Sequence, residues 1–254
     1  MPTEWLANWS MVFLRASGLL AVFPVFSAPA VPIQLRVALG ALIAFLLGPS
    51  LPAPTWPSAG GWVWMGLMIS EVGVGLLFGF VCRMLFFALE MAGTLISTEI
   101  GLNLPAAFDP VHPGQGTLPG SILNFLATVI WLSLDLHHWM LVGFARSYEV
   151  LPVGGAGLAE PLLREVLGWV SRLFVVALQI CAPVLAVSFL ISLVFSVLGR
   201  AVSQMNVFTE SFAVRLFAGL SLFAAAIPLM ALQIVNSLHR LPEDFLRVAR
   251  LLGV

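Results

Sequence analysis

Three groups of residues in this sequence have types and spacings that could support chemistry. The first is Asp135 with His137 and His138, near the end of an apolar stretch. Asp135 and His138 lie three residues apart and share a helical face, which is how a helix presents two metal ligands. No further soft ligands cluster beside them, so no metal site and no cofactor is expected. Acids and histidines in membrane helices also relay protons, and interfacial placement beside Trp131 and Trp139 accounts for the same residues. The second group is Ser188, Ser192 and Ser196, a four-residue repeat continued by Arg200 and Gln204. In an apolar helix such a stripe either hydrogen-bonds a neighbouring helix or lines a wet path. The third is a pair of charges inside apolar runs, Arg15 and Glu71. No serine or cysteine stands at a recognised spacing from a base, so no catalytic residue is expected.

The elements that position these residues follow from composition. Hydrophobic residues make up 60% of the chain and charged residues 9%, with a mean hydropathy of +1.05. These values lie far outside those of water-soluble domains and describe a polytopic membrane protein. Its eleven basic residues are all arginine and its net charge is −1, which leaves no basic surface for nucleic acid. Cys82 and Cys181 lie within apolar runs and act as small hydrophobes. The opening MPTEW lacks the positive stretch of a secretory signal, so this end is expected to be retained.

About six apolar helices are expected, in an all-α chain organised as one membrane domain over 1–254. The first three helices fall in 1–100, a central loop in 101–120, the fourth helix and its loop in 121–168, and a C-terminal hairpin and tail in 169–254. The first run, Trp5 to Phe26, carries Arg15 at its middle, where insertion into lipid costs roughly 2.5 to 3.5 kcal/mol. Pairing with a carboxylate on another helix or subunit would remove that cost. The second run spans Ile33 to Leu47, with Arg36 at its mouth. A third, from Trp62 to about Leu89, holds Glu71 and the Gly75/Gly79 pair, a spacing that lets helix backbones approach closely. The fourth is read as one run from Ser121 to Phe144. The fifth runs from Trp169 to Leu198 and should kink at Pro183. The sixth, Phe212 to Leu238, holds Pro228, and the tail beyond it alternates charged and apolar residues as an interfacial helix does.

The central stretch, GLNLPAAFDPVHPGQGTLPG, is too rich in proline and glycine for a helix. It is either a connector or a functional loop. At membrane depth such a backbone is tolerable only where protein or water satisfies its amides, as in a pore lumen. Leu104, Pro105, Phe108 and Pro110 would form an apolar obstruction there. Gly114 and Gly116 would let it swing aside, and Asp109 would fix the turn.

Several separated stretches resemble one family, the FliR-type (SctT-type) component of the type III export gate of flagella and virulence injectisomes. They are Arg15 with Pro24 and Pro29, EIGLNLPAAFDP over 99–110, RSYEVLPVGG over 146–155, and GRAVSQMNVFTESFAVRL over 199–216. The last also resembles the FliQ subunit, through Gln204, Asn206, Thr209, Phe212 and Arg215, and together with Arg200 and Met205 these residues form the hairpin expected to contact partner subunits. The resemblance implies a FliP-like part followed by a FliQ-like hairpin. It implies assembly with FliP and FliQ into a helical pore, contact with FlhB, and passage of unfolded exported proteins. It places the chain in the bacterial inner membrane within the basal body, and it makes the central loop a plug. The alternative from a different class is an ion-coupled secondary transporter using Asp135, His137 and helices broken at Pro183 and Pro228.

Overall fold

The computed structural model describes residues 2–28, 31–51, 60–102, 116–157, 160–201 and 207–253. Its regular elements are all helical. They are α1 (Pro2–Val22), the short α2 (Pro24–Ser27), α3 (Ile33–Leu47), α4 (Gly61–Ile100), α5 (Leu118–Ser133), α6 (Leu136–Val150), α7 (Glu160–Ala201), α8 (Val207–Leu238) and α9 (Leu241–Leu252). Five candidate membrane spans are found among the described residues, or six if α5 and α6 count as one broken span.

Local chemistry sets the helix ends. Pro24 disfavours the α conformation in the residue before it. Phe23 accordingly adopts φ −60°, ψ 124°, and α1 stops at Val22. The Arg36 guanidinium then donates to three carbonyls of the α2–α3 linker, Ser27, Ala28 and Val31, at 3.2, 2.8 and 3.0 Å. The Ala28 oxygen also accepts from the Val31 N–H at 3.0 Å, and the arginine ties all three carbonyls together. At the other end of α3, the Asn8 side chain donates to the Gly48 carbonyl at 3.1 Å.

Some helices differ from the sequence expectation. The third run continues to Ile100, which makes α4 40 residues long. The fifth begins at Glu160 and extends unbroken through Pro183 for 42 residues. Pro183 and Pro228 both lie inside helices, as membrane helices allow when nearby groups satisfy the freed carbonyl. The fourth run is not continuous. It breaks at Leu134–Asp135, where Asp135 takes the left-handed φ of 52°; aspartate tolerates this conformation better than most side chains. The tail forms α9, whose Phe245, Val248, Ala249 and Leu252 are buried within the protein. Phe245 stacks on Phe78 with ring centroids 5.1 Å apart. That apolar face is therefore covered by protein.

The described residues gather into two compact units. The first comprises residues 1–85, 134–170 and 238–254, and the second 86–133 and 171–237. In the first, α1 packs on α3 and crosses α4 where glycines remove the side chains between them. A Cβ at Gly75 would overlap the Arg15 carbonyl. One at Gly18 would lie 2.7 Å from the Val72 oxygen, and one at Gly79 2.8 Å from the Leu19 oxygen. The partner of the Gly75/Gly79 pair is thus α1 of the same chain. In the second unit, α4 and α5 meet through Gly93 and Gly120. Gln233 of α8 donates to Gln179 of α7 at 2.7 Å.

Overpacking alone costs about 1–3 kcal/mol, and a clash with backbone cannot be relieved by a rotamer change. Gly75→Val should therefore abolish monodisperse protein in detergent, read by size-exclusion chromatography. Gly66→Val, on the same helix with open space around its Cβ position, should leave the elution profile unchanged.

Candidate functional site

The glycine crossing brings two charged residues together. Glu71 lies one turn before Gly75 on α4, and Arg15 is the α1 residue whose carbonyl Gly75 faces. Both side chains have 0% exposure. Arg15 grips the carboxylate with two parallel bonds, Nε to Oε2 at 2.6 Å and Nη2 to Oε1 at 3.1 Å. This bidentate fork is the strong form of an arginine–carboxylate pair.

The rest of the guanidinium is used by the end of α6. Nη1 and Nη2 donate to the Leu151 carbonyl at 3.2 and 3.3 Å, and Nη1 also donates to Ser147 Oγ at 3.4 Å. Ser147 in turn donates to the Phe144 carbonyl at 2.6 Å. A cation at a helix C-terminus is favoured by the exposed carbonyls there. The Tyr148 ring lies 3.9 Å from the guanidinium carbon, within cation–π range. Glu71 Oε1 accepts a further bond, from the Gly154 backbone N–H at 2.8 Å. Gly154 has φ +78°, and a Cβ there would meet Leu67 at 2.6 Å. The turn can aim its amide at the carboxylate only because this position is glycine. Four segments thus converge on one ion pair.

An isolated charge in such surroundings costs several kcal/mol, which geometry and further hydrogen bonds must offset. Here both carboxylate oxygens and all three guanidinium nitrogens have partners. No water and no reacting atom is needed to explain the arrangement, which is that of a structural clamp.

The family model described as bacterial export proteins, family 1, matches residues 6–241. The chain belongs to that family. Among the relatives it resembles is the flagellar biosynthetic protein FliR of Pectobacterium carotovorum subsp. carotovorum, 29% identical over 233 residues, covering 89% of this chain and 87% of the relative. The FliR of Escherichia coli (strain K12) is 27% identical over 228 residues, covering 90% and 87%. That of Bacillus subtilis (strain 168) is 25% identical over 248 residues, covering 96% and 95%. As a member of the family, the chain is a component of the type III export apparatus in the inner membrane and not an enzyme.

The other residues named from the sequence of this family member are spread along the chain. Leu104, Pro105, Phe108, Asp109, Pro110 and Gly114 of the central loop lie outside the described residues, as do Gln204, Met205 and Asn206 of the hairpin. Gly116 is exposed, with Glu90 and Ser121 as neighbours. Arg200 is exposed at the end of α7, and Thr209 falls within α8. The Phe212 ring covers Gly101, where φ is +84°. Arg215 is half-buried, and its Nε is enclosed without a hydrogen-bond partner among the described residues. In the serine stripe, Ser192 donates to the Ser188 carbonyl of its own helix at 2.7 Å. Spacing alone did not show that Ser147, Tyr148, Leu151 and Gly154 gather around Arg15. All four fall within RSYEVLPVGG, but the polar contacts use one side chain, one aromatic face and two backbone groups, which carry no pattern of their own.

Removing one member of a buried pair typically costs about 3–5 kcal/mol, whereas replacing both with apolar groups is often close to neutral. Arg15→Leu and Glu71→Leu should each lower the thermal stability of the purified chain steeply. The double variant should be more stable than either. Arg15→Lys should fail to restore the wild-type value, because an ammonium cannot make the bidentate fork while also reaching Leu151 and Ser147. Equal losses in all four variants would show that the pair does not act as a unit.

Proposed function

We propose that this chain is a structural and gating subunit of a flagellar type III export gate, which joins FliP- and FliQ-type subunits around a path for unfolded proteins. The observation that carries the reading is the family match over 6–241, shared with relatives named flagellar biosynthetic proteins. Helix length supports it. At 1.5 Å per residue, α4 and α7 are about 60 Å long, roughly twice a bilayer's hydrocarbon layer of about 30 Å. Helices of this length project well beyond the lipid and can line a raised passage. A polar clamp such as Arg15–Glu71 is then surrounded by protein. The apolar flank of α7, with Phe174, Leu178, Phe189, Leu190, Val194 and Val197 exposed, offers surface for lipid and neighbouring subunits.

In this reading α7 and α8 form the FliQ-like hairpin after a FliP-like part. The turn between Arg200 and Arg215 meets an FlhB-type subunit. The central loop closes the path when no substrate passes, with Phe108 and its prolines as the obstruction and Asp109 fixing the turn.

Co-expression with FliP-, FliQ- and FlhB-type proteins, followed by purification in mild detergent, should yield one stable complex containing all four. A chain that elutes alone under these conditions would overturn the assignment. Deleting residues 106–116 should leave that complex intact but raise ion conductance in proteoliposomes above the wild-type level. A fully assembled deletion complex that conducts no more than wild type would reduce the loop to a connector.

A further inference from the structure

The break between α5 and α6 creates a cluster that an uninterrupted helix would not contain. We propose that Asp135, His137 and His138 form a binding site for a divalent transition-metal ion of the zinc class. One ligand atom from each of the three residues lies within 4.8 Å of the other two. His137 Nε2 is 3.8 Å and His138 Nδ1 3.7 Å from the same oxygen, Asp135 Oδ1. These separations are too long for hydrogen bonds. Two ligands about 2.0–2.1 Å from a tetrahedral ion stand roughly 3.3 Å apart, so a small closure of the side chains encloses a cation.

The backbone explains why the carboxylate is available. Asp135 occupies the N-cap position of α6, where an aspartate side chain ordinarily accepts from the first-turn amides. Its φ of 52° and ψ of 27° are left-handed, and its side chain makes no capping bond. The first turn is closed instead by its carbonyl, which accepts from the His138 N–H at 2.9 Å. His137 and His138, adjacent in the first turn of α6, have ring centroids 4.1 Å apart. The side-chain exposures of Asp135, His137 and His138 are 73%, 33% and 68%, so an ion in solution reaches the site. Two imidazole nitrogens and one carboxylate oxygen form a donor set suited to Zn²⁺, and three protein ligands leave a coordination position open. A bound ion pins the first turn of α6, and its open position takes water or a side chain from outside this chain.

The test uses the full chain, purified in detergent through a tag without histidine and stripped with a chelator. Titration with Zn²⁺ alone should show one saturable equivalent. Co²⁺ should give a visible d–d absorption band that Zn²⁺ removes. Asp135→Asn and His138→Ala should each weaken Zn²⁺ binding by more than the roughly 10- to 100-fold loss seen when only an outer-shell partner is removed. His112→Ala and His239→Ala should bind as wild type does. Should a variant fail to fold, wild-type protein still provides a second readout. Zn²⁺ should protect His137 and His138, but not His239, from acylation by diethylpyrocarbonate, as mapped by mass spectrometry. Absence of saturable binding, binding that persists without Asp135 and His138, or protection that does not distinguish these histidines from His239 would each overturn the site.

Discussion

The first compact unit depends on a single constraint, the burial of Arg15. A guanidinium cannot give up its proton at any accessible pH, so it cannot escape burial by becoming neutral. Its donors must instead be met in place. Glu71 meets two of them, the last carbonyl of α6 is shared between the terminal nitrogens, and the Tyr148 ring covers one face. Each contact fixes a different segment, so α1, α4, the end of α6 and the turn at Gly154 hold one another in register. Without the glycine crossing at Gly18 and Gly75, α1 and α4 would stand too far apart for the fork to close. Packing and electrostatics therefore act together here, and neither would produce the arrangement alone.

This coupling also shows which parts of the fold could be read from the sequence. The helical content, the apolar spans and the end of the second run at Leu47 follow from composition and from proline and glycine chemistry, which act within a few residues, whereas the first run was read through Pro24 to Phe26 and α1 stops at Val22. The end of the third helix was harder to place. Residues 90–100 carry Glu90, Thr94, Thr98 and Glu99, which resemble the start of a loop. Both threonines instead donate to carbonyls four residues earlier, Thr94 to Glu90 and Thr98 to Thr94, at 2.9 and 2.8 Å. The helix tolerates their polarity without giving up its own bonds. The break at Asp135 was hidden for the opposite reason. Leu134, Leu136, Trp139 and Met140 keep the stretch apolar on both sides of it, and no proline or glycine marks the position where Asp135 takes its positive φ.

The site was legible in part. A charge inside an apolar run signals that a partner must exist, and Arg15 and Glu71 stood out on that ground alone. Their pairing with each other, 56 positions apart, depends on how α1 crosses α4. The Gly75/Gly79 spacing announced a close crossing without naming the helix on its other side. The remaining contacts come from the Leu151 carbonyl and the Gly154 amide. Every residue other than proline has both groups, so no substitution pattern distinguishes the ones that bind.

The same physics separates what folds the chain from what remains for its neighbours. In water, burying the exposed leucines, valines and phenylalanines of α7 would drive association by itself. In a bilayer the lipid tails solvate those residues equally well, so bulk apolar surface carries little preference for a protein partner. Association there depends on close backbone approach and on polar atoms with nowhere else to go. Gly18 of α1 and Gly75 and Gly79 of α4 are consumed by the crossing of the two helices, whereas Gly66 and Gly73 of α4 face open space. Beside Gly66 and Gly73 lies a cavity of about 490 Å³ lined by Ile69, Ser70, Val74 and Leu77, with Leu162 and Leu252 across it. In the second unit, an enclosed Arg215 Nε is left without a partner among the described residues. Such an N–H gains more from a hydrogen bond in a low-dielectric setting than any exposed leucine gains from a new contact. The features that discriminate between neighbours in this membrane protein are therefore its small residues and its unspent donors, and the broad apolar flanks set only how deeply it sits.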